Sequence, residues 1–334
     1  MGPDTRQVLA TFDDSCVEGR VLVQVRFGYV ISETDASVPS SARMLEAQGW
    51  DIVAAGEHVS FNLPVPNTFV SLAAAAATTT RVQLMSTMTL LPLYPAGLAA
   101  KMAAALDNVS GGRLLFGVGL GGENPNEFAA CAVPVRQRGS RMDESLKVIR
   151  ALWSGEPESF DGRYYSFEGV QITPTPLQRP GPPIWVAGRQ DAAMRRAAAH
   201  GDGWMPYMYS PEMLAVSLDT INSYRERPKP VQAGVYLWSC VHEDRATAVE
   251  YAEESLGDTY KQSFSSMVDT YLAVGEVDDV VRRTMEYIEA GARTVIFRGA
   301  APTSYAAQNL QMLATEVLPR LRAALGTSQE LVRG

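Results

Sequence analysis

The chain has 334 residues, 46% hydrophobic and 20% charged, with a formal net charge of -8. That balance belongs to a globular protein with a sizeable core, and its sign argues against nucleic acid or an anionic membrane as the main partner. No apolar run approaches the ~20 residues that a membrane-spanning helix needs. Cys16, Cys131 and Cys240 are odd in number and far apart, which excludes a disulfide framework or cysteine-built zinc site and suits a reducing cytoplasm.

Residues 1–20 carry Asp4, Asp13, Asp14 and Glu18 and no basic start leading into an apolar block, so they read as an extension rather than a secretory signal. The first core strand is expected over 21–31. A helix entered at Ser37 and closed at Gly49 follows, then a strand over 50–55 with Glu57 and His58 just beyond it. Asn67 or Thr68 caps an alanine-rich helix. A third strand over 81–91 precedes a helix over 95–109. Gly111 and Gly112 close that helix, and 113–118 is a short apolar strand of the kind covered on both faces.

Gly117, Gly119 and Gly122 then match the dinucleotide fingerprint, a weak signal by itself. That fold needs a helix opening at the glycines and an acid-tipped strand about 20 residues on. Here Asn124-Pro125-Asn126 breaks the segment, and Met142, Leu146, Ile149 and Trp153 recur at helical spacing over 136–153. The glycines read instead as backbone bared beneath a ligand.

Residues 154–183 are a proline-rich excursion. Strands near 185, 204, 235 and 295 and helices near 191–200, 211–225, 278–290 and 308–325 restore the alternation, interrupted by a helical excursion over 244–274. Eight strand–helix units in one chain imply a single domain over 1–334, a (β/α)₈ TIM barrel with the two excursions placed over its C-terminal mouth. Barrel enzymes carry their chemistry at the strand C-termini. The candidates are therefore Glu57 and His58, Ser86, Thr87 and Met88, Gly119, Gly121 and Glu123, Gly188 with Arg189, Trp204 with Tyr207, and Arg298 with Gly299. His58 is one of three histidines and suits proton transfer near neutral pH. Gly188-Arg189 opens a helix and suits a phosphate. Glu123 is a candidate general acid. Trp204 and Tyr207, with Tyr164, Tyr165, Tyr209 and Trp238, suggest an aromatic substrate cavity. No metal site, GxSxG elbow or Walker loop is present in the sequence.

Ser110-Gly-Gly-Arg-Leu with Gly117-Val-Gly, Arg138-Gly-x-Arg141-x-Asp-Glu144, Pro182-Pro-Ile-Trp-Val-Ala-Gly188 and Gly201-Asp-Gly-Trp204 together resemble the bacterial luciferase-like superfamily. The resemblance covers roughly residues 25–325. It implies a barrel that binds FMN or the 8-hydroxy-5-deazaflavin coenzyme, usually as a homo-oligomer. On the matching positions it implies that His58 and Glu57 stand beside the reactive ring and that Thr87–Met88 is a non-proline cis peptide backing it. Gly119 and Gly121 would lie under the ring, and Ala187, Gly188 and Arg189 would hold the phosphate. Two positions depart from the deazaflavin pattern. Gly122 stands where some members place a glutamate, and 204–212 lacks the lysine that holds the coenzyme's acidic tail.

The function expected from the resemblance is a cytoplasmic monooxygenase. It would insert one oxygen from O₂ into a small organic substrate, using reduced FMN supplied by a partner reductase. The alternatives are hydride transfer with the deazaflavin coenzyme and a non-catalytic flavin-binding barrel.

Overall fold

The computed structural model of the chain describes residues 16, 17, 20, 21, 24–122, 124–261, 264 and 266–331. Most of the expected extension, and Glu123, lie outside the described residues. Eight parallel strands form the frame: Arg26–Ile31, Ile52–Ala55, Gln83–Ser86, Leu114–Gly119, Ile184–Ala187, Gly203–Met205, Gln232–Val241 and Ala292–Gly299. Each pairs with the next, and the eighth pairs back onto the first through Thr294 and Arg26, so the sheet closes as a (β/α)₈ barrel.

Side chains alternate across a strand, so one parity faces the barrel axis and the other faces the helices. The interior parity is occupied by Val30, Ile52, Ala54, Met85, Leu115, Trp185, Met205 and Ile296, with Tyr236 packed on them. One layer nearer the strand N-termini, Arg26 donates to Gln83 at 2.7 Å, to Gln232 at 3.1 Å and to Thr294 at 3.0 Å. This polar layer closes the bottom. Burial pulls the Arg26 guanidinium below its ordinary range, offset in part by the charge of Asp51.

The opposite parity packs on the outer helices, among them Thr68–Ala76, Ala96–Val109 and Arg138–Leu152. Met142, Leu146, Ile149 and Trp153 are all fully buried there, as their helical spacing anticipates. Asn67 caps its helix by accepting from the Val70 N–H at 3.2 Å.

Several boundaries differ from expectation. The first strand starts at Arg26, because Arg20–Val21 pairs antiparallel with Cys16–Val17 instead. The third strand is only four residues long. Thr89–Leu90 then pairs separately with Val118 and Gly119, and between the two pieces lies the expected cis peptide Thr87–Met88. Asn124-Pro125-Asn126 does not break the chain. Asn124 caps and Pro125 opens a short helix, Pro125–Ala130, since proline's missing N–H costs nothing in a first turn.

The two excursions part ways. In 154–183 a hairpin, Glu158–Asp161 with Ser166–Val170, packs outside the barrel rather than over its mouth. Glu144 on the helix Arg138–Leu152 accepts from the backbone of Arg163, Tyr164 and Tyr165, which anchors the hairpin to that flank. The second excursion is a helix, Arg245–Tyr260, followed by the turn Val268–Tyr271 and an unanticipated strand, Ala273–Gly275. That strand pairs with Ser239–Val241, beyond the end of the barrel proper. Its helix reaches the mouth through Tyr260, whose ring lies 6.0 Å from Phe61 and 6.3 Å from Trp238.

Candidate active site at the barrel mouth

Parity decides which of the expected residues meet. Ile52 and Ala54 face the axis, so His58 continues that row while Glu57 turns toward the helices. Glu57 is buried and holds the outer layer together. Its carboxylate accepts from the Leu90 N–H at 2.8 Å, the Tyr94 hydroxyl at 2.8 Å, the Asn67 amide at 3.1 Å and the Thr68 N–H at 3.3 Å. Burial pushes its carboxyl above the ordinary range, against the pull of these donors and of His58. It is a structural acid.

An expected result follows for Glu57→Gln. The amide end must face one N–H with another, so stability in urea falls by about 1–3 kcal/mol. The pH dependence changes as well. The wild-type pKa is raised from 4.5 in the native state, so the native state keeps a proton that the unfolded chain has lost. Glu57 therefore contributes most below that value, and stability declines as pH rises through the native pKa. The variant lacks this decline.

His58 is partly exposed at 19% and is held on two sides. Phe61 stacks on it with ring centroids 4.2 Å apart and planes 17° from parallel. Its Nδ1 lies 2.7 Å from an oxygen of Glu127, a carboxylate only 1% exposed. A carboxylate has no proton to give, so Nδ1 carries the hydrogen and the tautomer is set. The other oxygen of Glu127 is buried without a hydrogen-bond partner. Asn124, at the start of the same short helix, donates to the Ser60 carbonyl at 2.9 Å and so ties this helix to the loop carrying His58.

Glu127 was absent from the expected site residues. Its partner is 69 residues away, and the pairing of the second and fourth strands with the third brings the two loops together. The Asn-Pro helix start, with a glutamate in the first turn beside a phenylalanine, was the available signal.

The glycines of the fourth strand serve the protein's own packing first. A Cβ on Gly117 would lie 2.0 Å from the Ser86 carbonyl oxygen and 2.7 Å from the Met88 sulfur. One on Gly119 would meet the Met88 Cβ at 3.1 Å and the Ala187 Cβ at 3.9 Å. Gly121 and Gly122 have φ of 63° and 118°, a region glycine adopts without cost. Gly117, Gly119 and Ala187 nonetheless leave this side of the mouth low, opposite the large rings Tyr207, Tyr236 and Trp238 on and beyond the sixth and seventh strands. Thr87 next to the glycines keeps a buried hydroxyl with no partner among the described residues. Ser86 instead donates to the Gly117 carbonyl at 2.7 Å. A low wall with an unanswered hydroxyl fits the flat face and polar edge of a tricyclic ring.

Of the expected aromatic wall, Tyr207 lies at the mouth, 6.2 Å from Tyr236 and 6.2 Å from Tyr260. Trp204 does not. It has the outward parity, is fully buried against Tyr209, and donates from Nε1 to the Gly188 carbonyl at 2.8 Å. Tyr164 and Tyr165 sit on the outer hairpin. Arg189 is exposed and donates to the Met208 carbonyl at 3.3 Å, while the helix it precedes already carries Asp191, paired with Arg195 at 2.8 Å. A separate crevice of about 280 Å³ between Arg245, Asp279 and Arg282 lies away from the mouth, its charges paired with one another. Among the described residues no cluster of His, Cys, Asp and Glu could hold a metal, and no helix is long and apolar enough to cross a membrane.

Comparison with known proteins agrees with this architecture. The chain is 26% identical over 336 residues to an F420-dependent glucose-6-phosphate dehydrogenase of Microbacterium testaceum, covering 90% of this chain and 98% of that one. It is 37% identical over 163 residues to an uncharacterized protein of Mycobacterium tuberculosis, a match spanning 49% of this chain and 55% of that one. Among solved structures, the monooxygenase RslO1 of Streptomyces bottropensis superposes with a TM-score of 0.76 at 24% identity, over 88% of this chain and 99% of that one. An F420-dependent secondary alcohol dehydrogenase superposes with a TM-score of 0.77 at 19% identity, over 89% and 99%. The family model for luciferase-like monooxygenases matches residues 26–294, and the chain belongs to that family of flavin- and deazaflavin-dependent oxidoreductases.

Proposed function

We propose that this chain moves a hydride between a small organic substrate and the 8-hydroxy-5-deazaflavin coenzyme, with His58 handling the accompanying proton. The observation that carries this reading is the His58–Glu127 pair, an imidazole of fixed tautomer backed by a buried carboxylate at 2.7 Å. When bound, the coenzyme supplies a ring carbon that takes up or returns a hydride. Thr87 with Met88, Gly119, Gly121 and Ala187 would seat the ring, and Gly188 would meet its phosphate. In the oxidative direction Nε2 of His58 would take the O–H proton of an alcohol as that chemistry removed its C–H hydride, leaving a carbonyl. Glu127 steadies the imidazolium so produced. Tyr260 and Phe61 help keep water from the reacting atoms. The full-length likeness to a dehydrogenase that uses this coenzyme supports the reading.

A second reading, oxygen insertion with reduced FMN from a separate reductase, has one observation in its favour. Residues 204–212 contain no cation to hold the deazaflavin's acidic tail, and Arg189 is turned to Met208. Titration with each reduced cofactor separates the two. Deazaflavin oxidation coupled to a carbonyl substrate without oxygen uptake supports hydride transfer. Substrate-dependent oxygen consumption with reduced FMN sinks it in favour of the monooxygenase.

A further inference from the structure

The mouth contains a cation that no carboxylate among the described residues answers. Arg298 has the inward parity of the eighth strand, two residues beyond the interior side chain Ile296, and pairs in register with Trp238. It is half-buried, and its guanidinium lies over the Trp238 ring at 5.4 Å from the centroid. No carboxylate among the described residues comes within 4.0 Å of it. Glu33, whose charge reaches the neighbouring Tyr29, is turned aside, accepting from the Ser32 N–H at 2.8 Å and the Ser41 hydroxyl at 2.7 Å. The planar fork of a guanidinium is matched to a carboxylate or phosphate.

A second donor stands beside it. Trp238 is 5% exposed, and its buried Nε1–H has no acceptor among the described residues. A buried indole N–H normally finds one. Arginine and tryptophan donors from adjacent strands thus share an end of the mouth where no described residue accepts from them. Around them the surfaces are flat rings: Tyr236 lies 6.0 Å from Trp238, and Tyr260 lies 6.3 Å from it.

We infer that the substrate is a planar organic anion, its carboxylate or phosphate head taken by Arg298 and Trp238 and its body held among Tyr207, Tyr236 and Tyr260. The inference rests on the proposed function only in taking this mouth as the substrate's place. A guanidinium gives a carboxylate or phosphate two parallel hydrogen bonds, and the indole N–H adds a third. A neutral isostere leaves both donors unpaired.

The test is calorimetric titration of the whole chain, without cofactor, with benzoate, phenyl phosphate and benzamide. At least one of the two anions binds about tenfold tighter than benzamide, and whichever binds tighter identifies the head group. Arg298→Gln abolishes that preference, Arg298→Lys restores part of it, and Trp238→Phe weakens the anion by about threefold to tenfold. Equal binding of benzamide and both anions overturns the inference, as does an unchanged preference in Arg298→Gln. In parallel, Arg298→Gln retains the wild-type affinity for reduced FMN and the deazaflavin. Loss of cofactor affinity would assign Arg298 to the cofactor and overturn the inference too. The anion preference is read with no cofactor present, so it stands or falls apart from the hydride-transfer reading.

Discussion

His58→Ala lowers kcat by about 10²–10⁴-fold, the range that a positioned general acid or base contributes. Affinity for the cofactor stays near the wild-type value. The ring removed is partly exposed and rests on Phe61, but its loss leaves the buried Glu127 carboxylate without its partner, so a urea denaturation curve of the variant accompanies the kinetics. Added imidazole restores part of the rate by supplying the missing base.

Glu127→Gln separates positioning from proton transfer. It keeps an acceptor for Nδ1 but loses the charge, and a hydrogen bond to a charged group is worth about 1.5–3 kcal/mol. At tenfold per 1.36 kcal/mol, kcat falls roughly 10–100-fold. KM stays near its wild-type value, because Glu127 is buried behind the imidazole and meets no substrate. Pre-steady-state kinetics with the working cofactor reads both effects. A wild-type kcat in His58→Ala would remove His58 from the proton transfer, whereas no turnover by the wild-type chain with either cofactor would leave a barrel that only binds flavin.

The barrel was legible because period and punctuation agree along the chain. Apolar runs at 114–119 and 184–187 bounded by glycine, and the helical recurrence from Met142 to Trp153, each have one low-energy reading. The site was legible only as far as the strand ends. Neighbours such as Glu57 and His58, or residues three apart such as Trp204 and Tyr207, look equivalent until parity assigns one of each pair to the axis and the other to the helices. Parity counted from Ile52 and Ala54, or from Met205, makes that assignment from the sequence. The pairing of His58 with Glu127 has no such local cue. It is a contact between the loops of the second and fourth strands, brought together by their shared pairing with the third.

Proline was misread for a related reason. Asn-Pro is a stop in a running helix but a start in an empty one, and the choice depends on what precedes it. After the turn at Gly121 and Gly122 no helix was in progress, so the pair opened one.

Gly117→Ala removes the fold's tolerance at its tightest point and destabilises the chain by about 3 kcal/mol or more. The new methyl would sit 2.0 Å from the Ser86 carbonyl oxygen, a backbone atom held by the third strand, and 2.7 Å from the Met88 sulfur. The sulfur can swing away. The carbonyl cannot, because Met85 and the neighbouring residues of that strand are paired on both sides, with the second strand and the fourth. Relief therefore requires the third and fourth strands to separate at their upper ends, where the Ser86 hydroxyl also bonds the Gly117 carbonyl at 2.7 Å.

Gly111→Ala is the control that isolates this cause. Gly111 has φ of 69°, yet nothing lies within 4 Å of an added Cβ, so it tests left-handed backbone alone. It costs about 1–2 kcal/mol. Urea denaturation of the two variants ranks them. If Gly117→Ala proved no worse than Gly111→Ala, the close approach of the two strands at the floor of the mouth would not be a structural requirement, and the glycine would have to be explained by a ligand instead.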